Sequence, residues 1–295
     1  MSQPQSERTP LELPNRTRRS ESIPRRLVSE GKFHLLPVYA LLTTSDLARE
    51  GIRNSGSFRF ADHIYRDEPS GRYGVGRVLD RVLLKLRGAR SMRSRFFHSR
   101  NEILSALKEM SGVSSEVPGG LPIRDELTVV SVPCGIARDL FDVAETLWSK
   151  TAIYEHVRFI GIDLDQEALD LSWDLTHDHY GFEFRCADAL ASDTLPENVD
   201  IIVSLGFGEF LSDDVLRDFY RRCHASLNTG GRFITSAMNR DRISDYLARE
   251  LAELLTNYRS TEHLTDLLRS AGFANIRTTR DKVGLQTLAV AEKAQ

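Results

Sequence analysis

Between Leu127 and Ala291, short β-rich runs alternate with helical patterns, and this alternation limits the fold more than any other feature of the chain. The runs are Leu127–Val132, then a helix to about Trp148; Val157–Ile162, then a helix from Gln166; Phe182–Cys186; Val199–Leu205, then a helix from Asp213 to Leu227; and Gly231–Ala237. Strands separated by helices of this length build βαβ units and a mostly parallel sheet. After a further helix over Thr261–Ser270 the rhythm breaks. Asn275–Val283 and Leu285–Ala291 are separated by Gly284 alone, which predicts an antiparallel hairpin at the sheet edge.

Upstream the text is different. Residues 1–30 are rich in Ser, Pro, Arg and Glu, which predicts a disordered or loosely packed arm. Residues 31–115 read as helical. Leu35, Leu36, Val38, Leu41 and Leu42 cluster, Ser45 and Asp46 suit a helix start, and Val78, Leu79, Val82, Leu83 and Leu86 follow helical spacing, as do Ile103, Leu104 and Leu107. Gly71, Gly74 and Gly76 around Tyr73 predict a flexible turn. The Ser-, Gly- and Pro-rich stretch Ser111 to Pro122 marks the boundary to a core domain over 116–295. No apolar run approaches the ~18–20 residues that span a bilayer, and Met1 to Pro14 lacks the apolar stretch of a secretory signal. Cys134, Cys186 and Cys223 stand far apart without metal-ligand spacing, so no metal and a reducing cytoplasm are expected.

The strand ends carry the chemistry. Val129 to Leu140 reads VVSVPCGIARDL, a strand running through a Gly-containing loop into a helix. Gly135 allows close backbone approach to a ligand, and Ala137 allows tight helix–strand packing. The second strand, FIGIDLD, places Asp163 where it ends, a position from which a carboxylate accepts hydrogen bonds from ribose hydroxyls. The third, FRCADAL, ends in Asp188. Each acid alone also suits a helix cap; two at successive strand ends beside a Gly loop suit a ligand with a ribose and an amino-bearing base. A nicotinamide dinucleotide fits less well, because PCGIA lacks the G-x-G-x-x-G that a diphosphate requires.

In order and spacing, these segments resemble the class I S-adenosylmethionine-dependent methyltransferases. VVSVPCGIARDL, GIDLD and CADAL are similar to their first three motifs, VDIIVSLGFGEFLSDD to their fourth strand and its loop, and Leu227–Ala237 and His263–Glu292 to their closing elements. The resemblance implies an α/β Rossmann-like seven-stranded sheet with an N-terminal helical lid, and S-adenosyl-L-methionine as cofactor. It implies that Pro133, Cys134, Gly135 and Ala137 pass along the methionine end. Asp163, with Leu164 beside it, would hold the ribose, Asp188 and Ala189 would read the adenine, and Leu205 and Gly206 would border the transferred methyl. The sequence departs from the pattern at Ser131, which replaces the acid expected late in strand one, at Pro133, which replaces a Gly, and at Ala137, which replaces the last Gly. The missing acid weakens the expected grip on the cofactor amine.

Glu209, in GFGEF after strand four, is the candidate base or substrate ligand. His98 and His263 are alternatives. His177, Asp178 and His179 lack a third spaced ligand and read as a solvated helix face. Tyr258 and Arg259, before the last helix, lie where this fold contacts substrate. Residues 1–110 hold 21 basic against 12 acidic side chains (+9), and residues 161–220 hold 2 against 15 (−13). From Arg72 to Arg100 nine basic residues face one acid, Asp80, which suits an interdomain face, an anionic small molecule or a nucleic acid. A methyltransferase acting on a small-molecule acceptor, anionic in the simplest case, is expected. An RNA methyltransferase and a non-catalytic cofactor-binding protein are the alternatives, although no RNA-binding module is visible. No membrane association is expected, and a homodimer is compatible with the sequence.

Overall fold

The computed structural model describes residues 23–54, 56–112, 126–149, 155–240, 245 and 256–294. Its centre is a seven-stranded sheet of β1 (Leu127–Ser131), β2 (Val157–Asp163), β3 (Phe182–Cys186), β4 (Val199–Ser204), β5 (Leu227–Met238), β6 (Ala274–Arg280) and β7 (Gln286–Glu292), in the order β3-β2-β1-β4-β5-β7-β6. The first five strands are parallel, and β7 runs antiparallel to both β5 and β6. This is the Rossmann-like sheet with an antiparallel C-terminal pair. The chain winds outward through β1, β2 and β3 and then returns to β4 on the other side of β1. That reversal opens a crevice at the carboxyl ends of β1 and β4, where ligands bind in open α/β sheets.

Period-two alternation along the strands divides the core between two faces. Val129, Phe159 and Ile201 pack with α6 (Arg87–Ser111) and α7 (Arg138–Trp148), whereas Val130, Ile160 and Ile202 pack with α9 (Asp213–Ser226) and α10 (Thr261–Ser270). A strand covered on both faces is apolar nearly throughout, and β4, VDIIVS, is buried at every position. Helix α8 (Gln166–Thr176) links β2 to β3. Ile103, Leu104, Ala106 and Leu107 of α6 lie in the same core as β1, so the second half of this 25-residue helix belongs to the sandwich.

The first half of α6 joins α1 (Ile23–Ser29), α2 (Leu35–Leu42), α3 (Asp46–Arg53), α4 (Phe58–Arg66) and α5 (Tyr73–Leu84) in the helical region. Two small apolar clusters hold it, one of Ile23, Leu27, Leu35 and Ile52, the other of Leu47, Ile64, Leu84 and Ala89. Between them Asp80, 0% exposed, accepts hydrogen bonds from the Ser45 hydroxyl and from the amides of Leu47 (2.9 Å) and Ser70 (3.0 Å), and meets His63 Nε2 at 2.8 Å. Burial alone would raise its carboxyl, but these partners outweigh burial and hold it below the ordinary aspartate value.

Four expectations need correction. The loosely packed arm is a helix from Ile23, because Ile23 and Leu27 find an apolar partner in Ile52; residues 1–22 lie outside the described residues. The flexible glycine turn is the start of α5, with Gly76 buried against the Thr44 carbonyl, where no side chain fits. His177, Asp178 and His179 follow α8 rather than lying on a helix face. The His179 side chain is 5% exposed, set edge-on to Phe141 and Trp148 and 2.7 Å from Glu145, so only the first two side chains face solvent. Finally, residues 281–285 join β6 to β7, and Asp281 Oδ1 organises that turn by accepting from the amides of Leu285 (2.9 Å) and Gln286 (3.2 Å). Of the expected boundary Ser111 to Pro122, residues 113–122 lie outside the described residues.

Candidate active site

The tips of β1, β2 and β3 bring Gly135, Asp163 and Asp188 into one cleft edge. The loop after β1 is tied to its neighbours at each step. Val132 N–H donates to Val203 O (2.8 Å) and Cys134 N–H to Ile162 O (2.9 Å), while Gly135 N–H donates to Asp163 Oδ2 (2.7 Å) and Ala137 N–H to Ser172 Oγ (3.0 Å). The Val132–Pro133 peptide is cis, and Gly135 has φ +54°, a left-handed value that favours glycine. Asp163 Oδ1 accepts from Asp165 N–H (2.9 Å), so each carboxylate oxygen carries one backbone donor and keeps a further lone pair. Burial raises the Asp163 carboxyl above its ordinary value against those hydrogen bonds. Leu164 beside it is exposed. Asp188 Oδ1 accepts from Leu190 N–H (2.9 Å), while Ala189 is buried.

The other half of the crevice lies past β4. Leu205 packs toward the α6–α7 core, and Gly206, at φ +75°, donates its N–H to Ser236 Oγ (3.1 Å). A Cβ on Gly206 would stand 2.9 Å from Arg95 Nη1, because the Arg95 guanidinium, 5% exposed, lies flat over this glycine. Arg95 donates to Tyr65 Oη (2.9 Å) and to Glu209 Oε1 (3.2 Å), and Gln286 Nε2 also reaches Glu209 Oε1 (3.3 Å). Glu209 is buried, and burial pushes its carboxyl up against the Arg95 charge. Its Oε2 has no hydrogen-bond partner among the described residues.

Segment 256–259 runs alongside, with Asn257 N–H on Glu209 O (2.8 Å) and Arg259 N–H on Met238 O (3.0 Å). Tyr258 and Arg259 line a cleft of about 610 Å³ with Asp213, Arg240 and His263. Arg259 is buried and its guanidinium is directed at Gly208 O, Leu211 O and Asp213, while Tyr258 Oη donates to Asp245 (2.9 Å). His263 Nε2 meets Asp213 at 2.8 Å, and His98 Nδ1 meets the Ser94 carbonyl of its own helix at 2.6 Å. Neither histidine is joined to Glu209 by a hydrogen bond. Among the described residues no group of three or more His, Cys, Asp or Glu is placed to hold a metal ion.

The helical region rests on this crevice. Phe58 Cβ would stand 3.2 Å from a Cβ at Gly135, Arg138 Nε donates to Asp62 Oδ1 (2.6 Å), and Arg59 pairs with Glu167. Of the arginines in the basic run, Arg95 turns into the site, Arg93 donates to Leu84 O (2.7 Å) and pairs with Asp67, and Arg100 pairs with Asp142. Sequence reading missed Tyr65 and Gln286, and offered Arg95 only as one of the nine basic residues from Arg72 to Arg100. What singles Arg95 out within that run is a period-four column on α6 in which Ser91, Arg95 and Ser99 continue the buried line of Ile103 and Leu107.

The profile of the family described as "Putative methyltransferase" matches residues 45–293. No curated protein matches the sequence. Among solved structures, a protein from Bordetella parapertussis described as a possible exported protein superposes with a TM-score of 0.75 at 20% identity, over 92% of this chain and 93% of its own. The S-adenosylmethionine-dependent methyltransferase SibL, in its apo form, gives 0.53 at 12% identity over 92% and 78%. Magnesium protoporphyrin IX methyltransferase (ChlM) from Synechocystis PCC 6803, with bound SAH, gives 0.53 at 12% identity over 84% and 98%. Among the described residues no helix is long and apolar enough to cross a membrane. The family profile covers both the helical region from α3 onward and the whole sheet, and the chain belongs to this methyltransferase family.

Proposed function

We propose that the chain transfers a methyl group from S-adenosyl-L-methionine to a small-molecule acceptor. The observation that carries this reading is the convergence of Gly135, Asp163 and Asp188 at three adjacent strand tips, with Asp163 already bonded to the Gly135 amide at 2.7 Å. The donor set fits the cofactor: Asp163 keeps lone pairs for two hydroxyls, Asp188 and Ala189 offer polar contacts to the adenine, and Pro133, Cys134, Gly135 and Ala137 supply a loop without bulky side chains. When bound, the cofactor supplies an electrophilic methyl group on a sulfonium.

The protein's own residues align and deprotonate the acceptor. Glu209 accepts the acceptor's proton at Oε2, and its burial beside Arg95 suits a carboxyl tuned upward for that task. The guanidinium of Arg95 over Gly206 favours an acceptor that carries anionic or strongly polar oxygen. The helices before β1 serve as the lid that keeps water out. The fold half-buries or buries Arg93 and Arg95, and this favours a small molecule over RNA. The free state of Cys134, Cys186 and Cys223 supports a cytoplasmic location. A homodimer is the assembly favoured by the exposed Val75, Val78 and Val82 along α5.

Calorimetry with S-adenosylmethionine tests the reading. Wild type binds, and Asp163→Ala loses at least about tenfold in affinity, the equivalent of one charge-assisted hydrogen bond. Absence of binding by folded wild-type protein refutes it. Cell extract incubated with labelled methyl donor identifies the acceptor, after which Glu209→Gln lowers turnover by about 10²–10⁴-fold and leaves cofactor affinity unchanged. Tight binding with no label transferred to any extract returns the chain to the class of cofactor-binding proteins.

A further inference from the structure

Strand β1 ends in Ser131, a residue too weakly polar to answer a cation, yet a carboxylate stands beside it. Asp139, the second residue of α7, is 8% exposed; its Oδ2 accepts from Ser131 Oγ (3.2 Å) and its Oδ1 from Leu140 N–H (2.9 Å). It makes no ion pair among the described residues, since its neighbour Arg138 turns toward Asp62. A buried carboxylate without a cation is costly to keep, and the α7 N-terminus offsets that cost only in part. Burial accordingly raises the Asp139 carboxyl to about 6, and Asp142 adds repulsion. Asp163 is bonded to the Gly135 amide and Asp139 follows Ala137 at the start of α7, so both carboxylates flank the same loop, and their charges add to the burial that raises the Cys134 thiol.

We infer that Asp139 is the partner of the α-ammonium group of the bound cofactor, a carboxylate moved from the end of β1 to the first turn of the next helix, with Ser131 as its positioning hydroxyl. The inference rests on S-adenosylmethionine being the cofactor. That molecule ends in an amino acid whose ammonium is the cation this buried carboxylate lacks, and the Pro133–Ala137 loop that would pass along it bonds to Asp163 through Gly135 and runs straight into the turn that carries Asp139. One carboxylate then answers the hydroxyls at one end of the ligand and the other answers the positive charge at the other end.

The test measures S-adenosylhomocysteine and 5′-methylthioadenosine, which shares the nucleoside and sulfur but lacks the amino acid, by calorimetry and by competition. Asp139→Asn weakens S-adenosylhomocysteine by tenfold or more and leaves 5′-methylthioadenosine within twofold. The double variant Ser131→Asp/Asp139→Asn, which returns the acid to the strand, recovers most of the loss. Ser131→Ala, which keeps the carboxylate and removes its orienting partner, gives a smaller loss, confined to S-adenosylhomocysteine, and serves if Asp139→Asn does not fold. Equal losses for both ligands, or no loss for S-adenosylhomocysteine in folded variants, overturn the assignment. Failure of wild type to bind S-adenosylhomocysteine instead overturns the cofactor reading on which it rests.

Discussion

Two buried aspartates, one in the helical region and one at the sheet's edge, have opposite electrostatic fates. Asp80 lies at the centre of the lid with donors from Ser45, Leu47, Ser70 and His63, and is held below its ordinary value. Asp139, in the first turn of α7 beside Ser131 at the tip of β1, has two donors and no ion pair among the described residues, and rises to about 6. A carboxylate whose lone pairs are filled by the fold serves the architecture. One left short of positive charge costs stability and signals a ligand. The lid needs its aspartate because its apolar clusters are small, whereas the sheet, with apolar cores on both faces, tolerates an unfavourable charge at its edge.

The sharpest challenge to this contrast is Asp80→Ala, which leaves the Ser45, Leu47 and Ser70 donors and His63 without their acceptor. It should cost about 3–5 kcal/mol, read as faster hydrogen exchange in α3, α4 and α5 with little change in the β1 and β4 amides. Because the Asp80 carboxyl is lowered in the folded lid, its stabilisation is complete above the ordinary value of 3.8 and disappears as pH falls through the lower folded value. Lid protection should therefore persist at pH 5. Next in size is Asp139→Asn. A carboxyl raised from 3.8 to about 6 penalises the folded ligand-free protein increasingly between those values, and in full above pH 6. Removing the charge should stabilise the protein by up to about 3 kcal/mol at pH 7.5 and by almost nothing at pH 4. A melting temperature that falls at pH 7.5 would put Asp139 in the same class as Asp80. The smallest effect belongs to Arg59→Ala, which breaks an exposed pair with Glu167 at the lid–core contact and should cost less than about 1 kcal/mol, with the loss screened by salt.

Most of the sheet was legible because strand burial is written in consecutive residues. Val129 and Val130, or Ile201 and Ile202, declare both faces at once, and the strand-end acids follow directly. The cofactor half of the crevice is likewise local, since Gly135 and Asp163 each sit at the end of a readable strand. The other half was legible only in part: Glu209 stands out in GFGEF after strand four, but its partners do not. Arg95 reaches Glu209 across 114 residues and Tyr65 across 30, and a charged residue on a helix ordinarily faces water. Nothing in RFFHSR distinguishes an inward arginine from a solvated one. The role inferred for Asp139 escaped for a related reason. Motif reading looks for an acid at a fixed strand position, while here a carboxylate from a residue eight positions later hydrogen-bonds to the side chain at that position.

The continuity of α6 has a mechanical consequence. At 25 residues it is a rod about 37 Å long; Ile103 and Leu107 pack its second half into the sheet core, and its first half carries Arg95 over Gly206. Between Arg95 and Ile103 the helix holds neither Gly nor Pro, so the position of that guanidinium is tied directly to the packing of the sheet. Loosening Ile103 or Leu107 is therefore expected to displace Arg95 as well, about two turns away along the same rod.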